Sequence, residues 1–222
     1  MATNRVEIAA LCMAVACVAV VEIAMNLIAS SRALPSLVVL GAGRLAQIGL
    51  FIWIARSSQA GIESIGLSKE RVKPGLKHGV LWSLALAVIA LAGIGIFKVM
   101  GQSPLRFLAV PLPLDTNSII LYIIVGGLLA PAAEELFFRG FVFGFFRRYG
   151  FGAALVISTA VFALAHMILM PAGAIPFNQV VGGVVFALAY ERSQSLVTPV
   201  MIHALGNLAL FSLSLVGHNI GI

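Results

Sequence analysis

The stretch SIILYIIVGGLLAPAAEELFFRGFVFGFFR, residues Ser118–Arg147, is apolar over most of its length yet carries two adjacent carboxylates and an arginine in its interior. At a rise of about 1.5 Å per residue, a helix of this length outreaches a hydrocarbon layer roughly 30 Å thick. Similar apolar runs occupy residues 8–29, 36–55, 78–97, 151–170, 176–190 and 196–216. The 222-residue chain is 61% hydrophobic and 10% charged, against roughly 45–50% apolar residues in soluble domains. These runs predict an all-α fold: a polytopic transmembrane bundle of about seven spans, one domain over residues 1–222, with no internal repeat.

The charges sort with that reading. A formal net charge of +6 is compatible with nucleic-acid binding, but the basic residues lie in short segments between apolar runs rather than along one face or tail, so no nucleic acid is expected. Arg56, Lys69, Arg71, Lys73 and Lys77 cluster in the most hydrophilic stretch, and such clusters favour the cytoplasmic side. Counting spans outward puts Arg5, the Arg147–Arg148 turn and Arg192 on that same side, and only Arg32, Lys98 and Arg106 on the other. The expected location is a plasma membrane, with the N-terminus cytoplasmic. The first run is longer than the ~7–15-residue core of a signal peptide and reads as a retained helix. Cys12 and Cys17 share it at a spacing that suits neither a disulfide nor a CxxC metal pair. Residues 101–116 hold three prolines and are expected to form an interfacial loop. Gly140 and Gly144 are four apart, as in close helix packing.

Ionisable groups inside spans are costly and point to function. Glu134 and Glu135, being adjacent, point about 100° apart on a helix and cannot share one geometric role. Glu135 and Arg139 have the i, i+4 spacing of an ion pair, which leaves Glu134 unpaired. His166 lies in an apolar helix, and His203 and Asn207 share a face at i, i+4. From the helix rise, Glu134 lies ~20 Å, His166 ~24 Å, His203 ~12 Å and Asn207 ~18 Å from the ends of their helices on the basic side. All four are therefore expected in one polar chamber within the membrane. Glu22 and Arg44, at matching depths in the first two runs, are expected to pair, with Asn26 and Gln47 beside them.

A carboxylate at a water-poor site is suited to take a proton from a single water molecule, which makes Glu134 the expected base. His166 is placed to share that water and pass the proton to the leaving amine. His203 and Asn207 are placed to donate to an oxyanion. No Ser or Cys lies in a setting suited to nucleophilic catalysis with a histidine.

Three segments carry a resemblance. EELFFR has the form EExxxR (Glu134, Glu135, Arg139), FALAH the form FxxxH (Phe162, His166), and HALGN the form HxxxN (His203, Asn207). In this order on apolar helices they resemble the CAAX-protease and bacteriocin-processing (CPBP, or Abi) family of intramembrane glutamic endopeptidases, related to type II CAAX prenyl proteases. The resemblance covers the C-terminal half, about residues 118–216. It implies a peptidase in which Glu134 and His166 activate water, His203 and Asn207 bind the oxyanion, and Glu135 and Arg139 support them. It implies no metal and no other cofactor, and substrates that are membrane-embedded proteins or peptides, cut near a C-terminal or membrane-anchored part. Bacterial relatives of this kind process peptides or C-terminal anchors, which makes the bacterial inner membrane the expected setting.

Two other classes fit some of the same residues. A zinc protease would use Glu134, His166 and His203 as ligands, although no HExxH helix is present. A non-catalytic scaffold or transporter would use the buried charges as structure or as an ion path, although the inverted repeats common in transporters are absent from the sequence.

Overall fold

The computed structural model describes residues 5–32, 34–103, 110, 112, 113, 115–168 and 175–219. Half of the expected 101–116 loop, including Arg106, falls outside this set. Seven helices account for nearly all the described residues: α1 (Ile8–Ser30), α2 (Ser36–Ser57), α3 (Lys69–Val99), α4 (Thr116–Tyr149), α5 (Phe151–Met167), α6 (Phe177–Ser193) and α7 (Val197–Asn219). A short 3-10 turn, Ile62–Ile65, links α2 to α3. Five segments are long and apolar enough to cross a membrane: Ile8–Ser30, Ser36–Ser57, Ile62–Val99, Thr116–Tyr149 and Val197–Val216. The chain is a helical membrane bundle.

Leu81, Leu84, Val88 and Leu91 of α3 are exposed, the pattern of a helix facing lipid. Lipid tails are as apolar as leucine, so helices associate there through close packing and polar contacts rather than by hiding oil from water. At Gly75 and Gly79 of α3, an added Cβ would meet Ser195 and Met201 at the start of α7 at 2.2 and 2.8 Å. Two hydroxyls complete this seam, with Thr198 Oγ1 donating to Gly75 O at 3.0 Å and Ser195 Oγ to Arg71 O at 2.9 Å. The same seam explains why α3 begins at Lys69 rather than at residue 78. The basic segment expected to lie between spans is held as helix by its contact with α7, although Pro74 removes one of its own hydrogen bonds. Gly140 and Gly144 do allow close approach, but toward Ile65 and Val6 rather than toward another helix.

The expected pair between α1 and α2 is present. Arg44 Nη1 donates to Glu22 Oε1 at 2.6 Å and to Gln47 Oε1 at 2.7 Å, and Gln47 Nε2 donates to Glu22 Oε1 at 3.2 Å. Arg5, Arg71, Arg147 and Arg148 surround one cavity, so the N-terminal segment, the start of α3 and the end of α4 share one end of the bundle.

The helix that carries both glutamates is not a regular α-helix. It runs α from Thr116 to Ile124, π from Val125 to Leu129, α from Ala130 to Glu135, and π again from Leu136 to Phe143. Proline accounts for the first π turn. Pro131 has no N–H, and its ring crowds the carbonyl a turn earlier, so the helix widens. The Ala130 N–H then bonds Val125 O instead of Gly126 O. Gly126 O loses the donor an α-helix would give it, and Pro131 has none to offer in its place.

Candidate active site

That orphaned carbonyl is taken up by α7, where Asn207 Nδ2 donates to Gly126 O at 2.9 Å. A buried backbone carbonyl without a donor is costly, so this bond fixes Asn207 and the π turn together. One N–H of the amide is spent there, and the second has no partner among the described residues.

One turn before Asn207, His203 is buried between the two glutamates of α4. Its Nδ1 lies 2.8 Å from Glu135 Oε1, and its Nε2 lies 3.9 Å from Glu134 Oε2. The carboxylate of Glu135 is an acceptor, so Nδ1 carries the proton and donates. Phe186 of α6 stacks on the imidazole, with centroids 4.7 Å apart and planes 18° apart, and so sets the ring plane that keeps each nitrogen on its own carboxylate.

His166 reaches Glu134 from the last turn of α5. Its Nδ1 lies 2.9 Å from Phe162 O, and a carbonyl only accepts, so this nitrogen is the donor. The other nitrogen, Nε2, is left facing Glu134 Oε2 at 3.7 Å. That gap is too long for a direct hydrogen bond, a separation at which polar groups are commonly bridged by water. Phe162 lies 4.5 Å from the His166 ring, so the phenylalanine and the histidine of one motif pack on each other.

The structure therefore brings Glu134, His166 and His203 together. It gives the adjacent glutamates opposite surroundings, as their angular separation on a helix requires. Glu134, with its side chain 18% exposed, makes no hydrogen bond among the described residues. Glu135 is fully buried. Its Oε1 takes Arg139 Nη1 at 3.0 Å as well as His203, while Oε2 has no partner. Arg139, also fully buried, donates from Nη2 to Gly183 O at 3.1 Å. Its guanidinium carbon lies 4.8 and 5.2 Å from the ring centres of Phe162 and Phe186, contacts that favour a desolvated cation.

Three parts of this network have no signature in the sequence reading: the Glu135–His203 bond, the Gly183 carbonyl and the Phe186 stack. A carbonyl acceptor is the same at every residue, and a phenylalanine in an apolar helix reads as core. Asn207 shares the face of His203 as expected, but the contact found for it is Gly126 O rather than Glu134 or His166. Among the described residues, no three His, Cys, Asp or Glu side chains form a group able to hold a metal ion.

Residues 116–209 match the family described as type II CAAX prenyl endopeptidase Rce1-like. The matched segment is 94 of the chain's 222 residues. It contains every residue of the three motifs, from Glu134 to Asn207, and the family it is similar to is one of CAAX-type membrane proteases. No curated protein and no solved structure matches the chain.

Proposed function

We propose that the chain is a glutamic endopeptidase that hydrolyses a peptide bond within the membrane. The observation that carries this reading is Glu134 Oε2 lying within 4 Å of Nε2 of both His166 and His203. Water between Glu134 and His166 gives up a proton to Glu134, which hands it on to His166, as its oxygen attacks the carbonyl carbon. His166 Nε2, the unprotonated nitrogen of the neutral ring, takes a proton and returns it to the amine that leaves.

The negative charge that develops on the carbonyl oxygen is met by the second Asn207 N–H and by His203. Here the geometry refines the sequence expectation. Neutral His203 has one N–H, and Glu135 accepts it, so donation to an oxyanion from Nε2 requires a second proton on the ring. Glu135 and Arg139 act as positioning residues, holding His203 in place.

The substrates in this reading are membrane-embedded peptides or proteins cut near their C-terminal or anchored part. The test is cleavage of a library of membrane-anchored peptides by purified protein in liposomes, using wild type, Glu134→Ala and His203→Ala, each with and without chelator. Cleavage that is lost in both variants and indifferent to chelator is the expected result. Chelator-sensitive cleavage makes the site a zinc centre instead, and no cleavage by a folded wild type removes the catalytic reading.

In the same reading, the arginine-bearing end faces the cytoplasm. Gln59, exposed between α2 and α3 at that end, provides the check. Gln59→Cys in a background lacking Cys12 and Cys17 is expected to resist an impermeant thiol reagent added to intact cells and to react once they are opened. Labelling in intact cells reverses the orientation.

A further inference from the structure

A half-open cavity of about 430 Å³ lies at the arginine-bearing end, among the N-terminal segment, the 3-10 turn and the ends of α3, α4 and α6. That volume falls in the roughly 300–1,000 Å³ range of small-ligand sites. Arg5, Arg71, Arg147 and Arg148 line it, against Glu63 and Glu191, so positive charge is in excess by two.

Three of the four guanidiniums are fixed by the protein before any ligand arrives. Arg147 makes a bidentate pair with Glu191 through Nε and Nη2 at 2.9 and 2.6 Å. Arg71 Nη1 donates to Gln194 O at 2.8 Å. Arg148 donates to Phe145 O at 3.0 Å and to Val6 O, with its guanidinium carbon 4.0 Å from the centre of the Phe145 ring. These contacts leave Arg147 Nη1 and two nitrogens of Arg71 unused, and Arg5 makes no hydrogen bond or ion pair among the described residues. Tyr190 adds a further donor. Its side chain lines the same cavity and the residue is only 8% exposed, yet its hydroxyl makes no hydrogen bond among the described residues. The hydroxyl at the tip of this mostly buried ring is open to the cavity and free to donate there.

Arginine forks and a phenol hydroxyl, all donors, suit a phosphate, whose oxygens only accept. The ends of membrane-spanning helices lie at the depth of lipid headgroups, and basic pockets between helix ends are where such headgroups bind. We propose that this cavity holds the phosphate of an anionic phospholipid. A choline headgroup carries its own cation into a site with surplus arginine and is disfavoured there.

The test is native mass spectrometry of the full chain in detergent, titrated with phosphatidylglycerol, with phosphatidylcholine of the same acyl chains, and with glycerol 3-phosphate. Phosphatidylglycerol is expected to bind about tenfold more tightly than phosphatidylcholine, the size of one charge-assisted hydrogen bond. Arg5→Gln and Tyr190→Phe, which remove a donor and leave the rest of the packing in place, are each expected to weaken phosphatidylglycerol several-fold without lowering the unfolding temperature. Equal binding of the two lipids, or unchanged phosphatidylglycerol binding in both variants, overturns the proposal. Glycerol 3-phosphate binding as tightly as phosphatidylglycerol also overturns it, making the site one for a soluble phosphate.

Discussion

Glu134→Gln is expected to lower peptide cleavage by about 10³-fold or more while leaving the bundle folded. The size follows from the role. A positioned base is worth roughly 10²–10⁴ in rate, and glutamine keeps the shape of the side chain but cannot accept the proton of water. The structure makes this substitution unusually clean. Glu134 makes no hydrogen bond among the described residues and keeps part of its side chain exposed, so neutralising it strands no buried donor. The unfolding temperature in detergent should stay within about 2 °C of wild type, since a partly exposed group that makes no hydrogen bond contributes little to stability. Single-turnover cleavage of a membrane-anchored peptide measures the first quantity and a thermal melt the second. A variant that retains more than a tenth of wild-type cleavage rejects Glu134 as the base, because among the described residues no other carboxylate adjoins the His166 Nε2.

That clean separation was legible in part from the sequence. The helix rise is fixed, so counting residues from the basic ends puts Glu134, His166 and His203 at ~12–24 Å, inside the membrane, and the structure joins them. Adjacency likewise requires the two glutamates to face different ways. The apolar runs are legible because the bilayer imposes a minimum length on each. The limits have physical causes as well. The start of α3 is decided by a seam with α7 more than a hundred residues away, through glycines whose value lies in what they omit. The π turns of α4 depend on which carbonyl each N–H selects, and the alternatives use the same residues. Pro131 is the one visible signal, since a proline inside an apolar run must disturb the helix somewhere in the preceding turn. The amide of Asn207 was legible as a donor on the face of His203. Its acceptor, Gly126 O, becomes available only once Pro131 has widened the helix.

Glu135→Ala is expected to destabilise the protein by about 3–5 kcal/mol, the cost of breaking a buried ion pair from one side. Arg139 is fully buried, so losing the carboxylate it bonds leaves a cation held, among the described residues, by Gly183 O and aromatic rings. His203 Nδ1 loses its acceptor in the same step. Cleavage should fall as well, but from this variant alone the loss is ambiguous, because instability and a misplaced His203 both reduce it. The double variant Glu135→Leu with Arg139→Met separates them. Replacing both members of a buried pair by apolar residues of similar volume is often neutral, so stability should return to within about 1 kcal/mol of wild type. Cleavage should not return, because an apolar residue at 135 gives His203 Nδ1 nothing to donate to, and the ring no longer presents Nε2 to the carbonyl oxygen. Chemical unfolding and single-turnover cleavage of the same preparations report the two quantities side by side. Recovery of both would reduce Glu135 to a charge partner for Arg139, and the task of orienting His203 would then fall to the stacked Phe186.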